Sequence, residues 1–301
     1  MVTVVKPKFD DIQVSTKTII AFTNLEIDIG NLFPKLTTKD YVIIPKKRGR
    51  KRKDEYVNPN ENLEPGSIIT LKYQDKVRGS DLKKKKTNKS QKYFRNALTM
   101  VMVIEKNKLL NFKISKNGKF QITGCKNDEH AQLCIKYFWD HLKSIDGDVY
   151  KVNGDNIRAI FITVMTNIDF NIGFYVNREA LDHYVNSNSQ FNSLLETSFG
   201  YTGVNIKIPM KIKDDMNINC ITFVEDKWVH SKIKYSEYLD ILGDKAKENE
   251  KQKKRFNTFL VFQSGNVIMS GMIKEYMEEY YDIFFNIVEK CKHLIKEKIT
   301  K

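Results

Sequence analysis

The stretch from Thr258 to Gly271, TFLVFQSGNVIMSG, constrains the fold of this chain more than any other. Two runs rich in β-branched and aromatic residues flank a Gly-containing turn, a pattern that predicts a β-hairpin. A partial copy stands earlier, NFKISKNGKFQITG at Asn111 to Gly124, with the same frame of strand, Gly118 for Gly265, second strand, and Gly124 for Gly271. Each copy is followed by a capped amphipathic pattern. A second echo, TNLEIDIG at Thr23 to Gly30, returns as TNIDFNIG at Thr166 to Gly173. The two intervals are similar, and such self-similarity reads as two copies of one unit of roughly 150 residues. The expected domains are therefore 1–150 and 151–301.

With 301 residues, 41% of them hydrophobic, the chain can bury an ample core, which excludes disorder throughout. Its net charge of +14 creates a positive field that favours a polyanionic partner. Four cysteines without a CxxC pair (Cys125, Cys134, Cys220, Cys291) suit a reducing compartment. No apolar run approaches the ~20 residues that span a bilayer, and the N-terminus lacks the apolar core of a signal peptide, so neither secretion nor membrane insertion is expected.

Along the chain, Thr18 to Ile27 is β-rich, with Ile19, Ala21 and Thr23 on one face and Thr18, Ile20 and Phe22 on the other. A short helix is expected near Asn31 to Leu36, limited by Pro34. The tract Lys46, Lys47, Arg48, Arg50, Lys51, Arg52, Lys53 then interrupts the pattern. Charge blocks of this kind repel themselves, and the tract reads as a solvated loop, a nucleic-acid arm or a nuclear-import signal. Strands are expected at Ser67 to Tyr73 and Ala97 to Glu105, separated by a second lysine tract at Lys83 to Lys86 with Lys89 and Lys92. Both tracts read as loop insertions.

A helix follows Gly124, capped by Asn127 or Asp128, with Ala131, Cys134, Tyr137, Phe138 and Leu142 as its apolar stripe. The second copy offers a strand at Ala159 to Asn167, a short helix at Asn177 to Val185, strands GVNIKIPM and ITFV, a charged segment Lys245 to Arg255, and the hairpin. A final helix from about Met272 carries Ile273, Tyr276, Met277, Tyr280, Phe284, Ile287, Cys291, Leu294 and Ile295 on one side. Its expected length is about 40 Å. Strand, short helix, antiparallel strands and long helix in each copy imply an α+β fold whose sheet has one face covered by helices and the other free.

These residues resemble the TATA-box-binding protein family. The hairpins LVFQSGNVIMSG and FKISKNGKFQITG and the NIKIP strand at Asn205 to Pro209 carry the likeness. Lys/Asn-rich insertions resemble the versions found in large nucleocytoplasmic DNA viruses. The resemblance covers roughly 18–73 and 97–299. It implies a pseudo-symmetric saddle: a curved antiparallel sheet with helices on the convex side, and a concave face that binds and bends duplex DNA through the minor groove, AT-rich duplex being the expected target. The minor groove offers few hydrogen-bonding signals beyond A·T against G·C, so an apolar surface suits it. Wedge side chains inserted between base steps cost a few kcal/mol each.

By the same resemblance, Phe262 matches the hairpin Phe wedge and Phe199 the wedge of the preceding loop; the bland alternative is that both are core aromatics. The first copy has Ser115 in place of the hairpin Phe, and Pro65 falls near the other position. The family's central Asn pair is replaced by Thr18 and Phe161. Thr123 and Ser270 keep groove-facing hydroxyls, with Gln121 and Ile268 at neighbouring contact positions and Lys119 beside them. An asymmetric complex, kinked at the second-copy end, is the sharper expectation, with the basic tracts neutralising phosphates.

The implied partners are double-stranded DNA, a B-family general transcription factor and a multisubunit RNA polymerase. Only Glu196 in LLETSF remains of an acidic loop that would meet the transcription factor. The expected state is a monomer or weak dimer in a host cytoplasmic viral factory, a virion or a nucleus. No cofactor is expected, and no catalysis. Cys125, His130 and Cys134 lack zinc-knuckle spacing. The acidic pairs Asp10-Asp11, Asp214-Asp215 and Glu225-Asp226 place no third ligand. The competing reading is a protein-interaction scaffold of the same fold that has lost DNA binding; an RNA-binding protein would show stacking aromatics at the sheet centre.

Overall fold

The computed structural model describes residues 3–43, 58–82, 96–196, 202–212 and 214–297. The tract Lys46 to Lys53, the second lysine tract and Phe199 lie outside the described residues. In chain order the elements are β1 (Val14–Thr23), β2 (Leu25–Ile27), α1 (Ile29–Lys35), β3 (Ile68–Tyr73), β4 (Lys76–Gly79), β5 (Ala97–Glu105), β6 (Lys108–Ser115), β7 (Lys119–Cys125) and α2 (Glu129–Lys143). There follow β8 (Tyr150–Val152), β9 (Arg158–Asn171), α3 (Arg178–Asn188), β10 (Asn192–Glu196), β11 (Gly203–Met210), β12 (Asn217–Val224), β13 (Lys227–Lys234), α4 (Tyr235–Ile241) and α5 (Asp244–Gln252). The chain closes with β14 (Arg255–Phe262), β15 (Asn266–Gly271), a 3-10 turn (Lys274–Tyr276) and α6 (Glu278–Ile295). The class is α+β, with antiparallel pairing along β10-β11-β14-β15-β9 and along β7-β6-β5-β3-β4.

The chain divides into two compact units. An N-terminal unit comprises Thr18–Ile162 and Ile218–Lys232; a C-terminal unit comprises Met1–Lys17, Thr163–Asn217 and Ile233–Lys301. In the N-terminal unit the strand order runs β1-β7-β6-β5-β3-β4, and in the C-terminal unit β9-β15-β14-β11-β10. The two orders are the same once β1 is matched to β9, β7 to β15, β6 to β14, β5 to β11 and β3 to β10.

Register makes the match residue by residue. Ala97 pairs with Ser115 as Gly203 pairs with Phe262, and Gln121 with Lys113 as Ile268 with Leu260. The Gly turn is tied down in the same way twice. The carbonyl of Gly118 accepts from the Thr23 N–H at 3.0 Å, and that of Gly265 from the Ile172 N–H at 3.0 Å. Ile27 N–H reaches Lys116 O and Val176 N–H reaches Gln263 O, both at 2.8 Å.

These bonds correct the second sequence echo. Thr23 at the end of β1 corresponds to Ile172, not to Thr166, which is buried within β9 opposite Gly271. The echo joined the end of β9 to a segment that runs from β1 through β2 into α1, and similar composition alone does not fix register. Counting along the two strands from Thr23 and Ile172 also moves the partner of Thr18 from Phe161 to Asn167. Phe161 is buried in the core of the N-terminal unit.

The helix starts follow local chemistry. Asp28 accepts from the Asn31 N–H at the start of α1, and Asn177 accepts from the Ala180 N–H at the start of α3. At α2 the Asn127 side chain, not Asp128, accepts from the His130 N–H at 3.0 Å. The apolar stripe of α2 is wider than expected and includes Ile135 and Trp139.

The expected 40 Å final helix is shorter. The chain makes a 3-10 turn first, and the 18-residue α6 is about 27 Å long. It buries Tyr281, Phe284, Phe285, Val288 and Cys291 against β9, β14 and β15 residues Phe170, Phe259 and Met269, while Leu294 is 55% exposed. It stops because the Asn177 N–H takes the Ile295 carbonyl at 2.7 Å and Lys296 turns extended to bridge Val176.

Between β11 and β14 the C-terminal repeat carries residues 211–254, where the N-terminal repeat joins β5 to β6 by Lys106-Asn107 alone. Within it, Tyr235 and Tyr238 are buried, and Tyr235 donates to Glu250, which also pairs with Arg255. Burial, reinforced by the Glu250 carboxylate, pushes both phenols up to about 12. The unfolded chain ionises near 10 while the folded chain does not, so stability is intact below pH 10 and falls between pH 10 and 12. Thermal melts across that window should lose up to about 1.4 kcal/mol per pH unit for each tyrosine, and a Tyr235→Phe/Tyr238→Phe chain should show a flatter decline.

Candidate nucleic-acid interface

In the C-terminal unit the helices α3 and α6 cover one sheet face, taking Val204, Ile206, Phe259, Val261, Val267 and Met269 into the core. Alternation sends the residues between them to the opposite face. Register then lines those residues in cross-strand rows. Asn205, Leu260, Ile268 and Asp169 form one row, and Lys207, Thr258, Ser270 and Asn167 the next. Phe262 ends β14 on this face, half-buried and directly opposite Gly203. A Cβ at Gly203 would come 2.8 Å from a Leu260 methyl, so the glycine lets Leu260 lie flat on the sheet.

Asn167 and Asn205 each hold their side-chain Oδ1 buried without a hydrogen-bond donor. Buried acceptors left unpaired cost free energy and mark positions where geometry is fixed by something other than the local bond inventory. Neither asparagine, nor Leu260, was singled out from sequence. The signal was available: Leu260 lies two before Phe262, hence on the same face, and Asn167 emerges once β1 and β9 are matched through their turn bonds.

The N-terminal unit presents the same positions with different chemistry. Lys113 and Gln121 replace Leu260 and Ile268, and Ser115 replaces Phe262. Gln121, Thr123 and Lys119 are exposed, Thr18 and Ser115 half-buried. Lys119 holds its ammonium 5.3 Å from the centre of the Phe22 ring. The Thr123 hydroxyl donates to Asn111 O at 2.9 Å, and that of Ser115 to Asn117 Oδ1 at 2.6 Å, so both present an acceptor oxygen outward. Leu260 and Ile268 at the centre of the row in one unit are therefore matched by a cation and an amide in the other.

The opposite face of this unit is not wholly free, which corrects the sequence expectation. Ile69, Val101 and Val103 on β3 and β5 are buried under Tyr41, Leu63 and Leu82. The covering segments are held by Lys39 N–H to Ile68 O at 2.8 Å and by paired bonds between Val42 and Asn60, both 2.9 Å. Apolar residues facing outward on two neighbouring strands, Ile69 on β3 and Val101 and Val103 on β5, required such a cover, since exposed apolar rows are poorly tolerated in water.

Pro65 also moves. It precedes β3, in a turn where Gly66 has φ +88 and donates to Val103 O at 2.7 Å. The connection equivalent to the one carrying Phe199 is that from β3 to β5, residues 74–96. Four residues before Ala97, as Phe199 stands four before Gly203, the sequence has Tyr93, outside the described residues.

His130 is buried, with Nδ1 accepting from the Lys126 N–H at 3.2 Å and Nε2 3.4 Å from Glu105 Oε2. The buried Cys134 thiol is pushed well above its usual range by desolvation. Among the described residues no three His, Cys, Asp or Glu side chains are grouped to hold a metal, and no helix is long and apolar enough to cross a membrane.

No protein-family model matches the chain. It is 27% identical over 256 residues to the uncharacterized protein 335L of Invertebrate iridescent virus 6, a match spanning 79% of this chain and 70% of that protein. Among solved structures it is similar to the TBP of Methanococcus jannaschii, with 12% identity, coverage of 93% of this chain and 98% of the other, and a TM-score of 0.44.

Proposed function

We infer that this chain is a non-enzymatic transcription initiation factor that binds duplex DNA through the minor groove on its outward sheet faces and bends it, wedging at the C-terminal unit. The observation that carries the reading is the apolar strip of Leu260, Ile268 and Phe262, bordered by small hydroxyls and amides and, beside Ile268, by the carboxylate of Asp169. A groove with few donors is matched by such a strip better than by charges. The equivalent N-terminal row, Lys113-Gln121 with Lys119, supplies phosphate contacts that position without specifying. The net charge of +14 supports the same reading and implies steep salt dependence. AT-rich duplex, a B-family transcription factor, a multisubunit polymerase and a viral setting follow from the family resemblance.

The burial of Val101 and Val103, together with Ser115 at the wedge position, favours the second reading, a scaffold of the same architecture without DNA binding. A titration against AT-rich and GC-rich duplexes, with and without a minor-groove-blocking drug, separates the two. Binding that the drug suppresses is expected; no binding to either duplex sinks the DNA reading. Phe262→Ala combined with Phe199→Ala should abolish duplex bending read by energy transfer between labelled ends, whereas bending that persists would assign both rings to the core.

A further inference from the structure

The insertion of residues 211–254 sits in only one repeat, so the duplicated architecture does not need it. Its hairpin β12–β13 nevertheless packs firmly into the N-terminal unit. Strand β12 pairs with β9, Asn219 opposite Phe161 and Ile221 opposite Ala159, and Ile221 is fully buried. Phe223 and Trp228 meet at 5.1 Å, and Phe223 packs edge-on to Trp139 at 5.9 Å. Strand β12 accounts for this anchoring. Strand β13 shares in it through Trp228, which packs against the same core, while most of its other residues stay exposed.

Among the described residues β13 pairs with β12 alone, and six of its eight residues are exposed. Val229 is 53% exposed. A long edge strand with an apolar residue facing water is a hazard that natural sheets usually shorten, bulge or cover. Lysines on an edge can serve as guards against aggregation, and Lys227 and Lys232 fit that role. The guard role leaves unexplained why the strand was added at all and why Val229 remains open.

The turn fixes which amides are available. Glu225 and Asp226 both have positive φ, 47° and 59°, the signature of a two-residue hairpin. In that geometry the flanking residues exchange both bonds, so Lys227, Val229 and Ser231 face β12, while Trp228, His230 and Lys232 turn their N–H and C=O groups away from it. Around that outward row stand Lys232, His230 and, on α2, Lys136, whose Nζ lies 3.2 Å from His230 Nε2. The carboxylates of Glu225 and Asp226 are confined to the turn, and none stands between Lys227 and Lys234.

We propose that β13 is a docking strand: its open edge takes an extended acidic segment of a partner protein as an added antiparallel or parallel strand. Backbone pairing supplies the affinity in this mode, and alternate side chains the selection. Acidic side chains would sit beside Lys232, His230 and Lys136. A second copy of this chain is disfavoured, because two β13 strands would bring lysines together across the ladder in a chain already carrying +14.

The test uses the full chain and a fluorescein-labelled eight-residue peptide alternating Glu and Val, with a Lys-for-Glu peptide as control, read by anisotropy. The Glu peptide should bind at least about tenfold more tightly than the Lys peptide. His230→Pro removes an outward N–H while sparing every β12 bond, and should weaken binding about tenfold relative to His230→Ala. Lys136→Glu with Lys232→Glu should weaken it comparably and keeps the proposal falsifiable if the proline chain unfolds. Equal binding by the two peptides, or by the His230→Pro and His230→Ala chains, overturns the proposal. So does loss of duplex binding in His230→Pro with peptide binding intact, which would make the edge a nucleic-acid contact.

Discussion

Phe284→Ala should lower the stability of the C-terminal unit by about 3–5 kcal/mol, the range for deleting a fully enclosed aromatic. The ring is fully buried and lies parallel to Phe259, centroids 4.5 Å apart and 4° between planes. Phe170 and Phe285 meet it edge-on at 5.9 and 5.5 Å. Removing it empties the seam between α6 and the strands that present Leu260 and Phe262 on the other face. Denaturant titration should show an earlier transition, and duplex binding measured where the variant is still folded should change far less. A loss below about 1 kcal/mol would mean the aromatic cluster collapses to fill the gap.

Gly265→Ala is the second large effect, with an expected cost of roughly 3 kcal/mol or more, since left-handed strain alone accounts for 1–2. Gly265 has φ +78, and an added Cβ would stand 2.3 Å from the Phe174 carbonyl oxygen. That oxygen belongs to backbone and has no room to retreat, because Val176 beyond it is bonded to Gln263 O at 2.8 Å. Gly118→Ala repeats the situation in the other unit, with φ +66 and Leu25 O at 2.4 Å. Equal losses in the two variants, read as separate transitions by hydrogen exchange, are expected; a neutral Gly265→Ala would disprove the matched turns.

The strands and hairpins were legible because their signals are local. GVNIKIPM and ALTMVMVIE became β11 and β5 without change of boundary. The glycines of both hairpins were readable for the same reason, since only a residue without Cβ takes a positive φ cheaply. The candidate site was legible in part. Ser115 and Phe262 fall at equivalent positions, as do Thr123 and Ser270, since each is fixed by its distance from the turn. Pro65 and Phe161 were misplaced because their equivalence depends on pairings between strands far apart in sequence.

By itself, then, the sequence determined the repeated hairpin, the α+β class and the contrast of Ser115 with Phe262, each set by residue spacing over short stretches. Tertiary structure alone decided that Asn167 is the counterpart of Thr18, that Val101 and Val103 are covered, and that β13 has one unpaired edge among the described residues. Hydrogen-bond register joins segments more than a hundred residues apart, and burial depends on what folds over a strand from elsewhere. Neither leaves a periodic trace in the residues it governs.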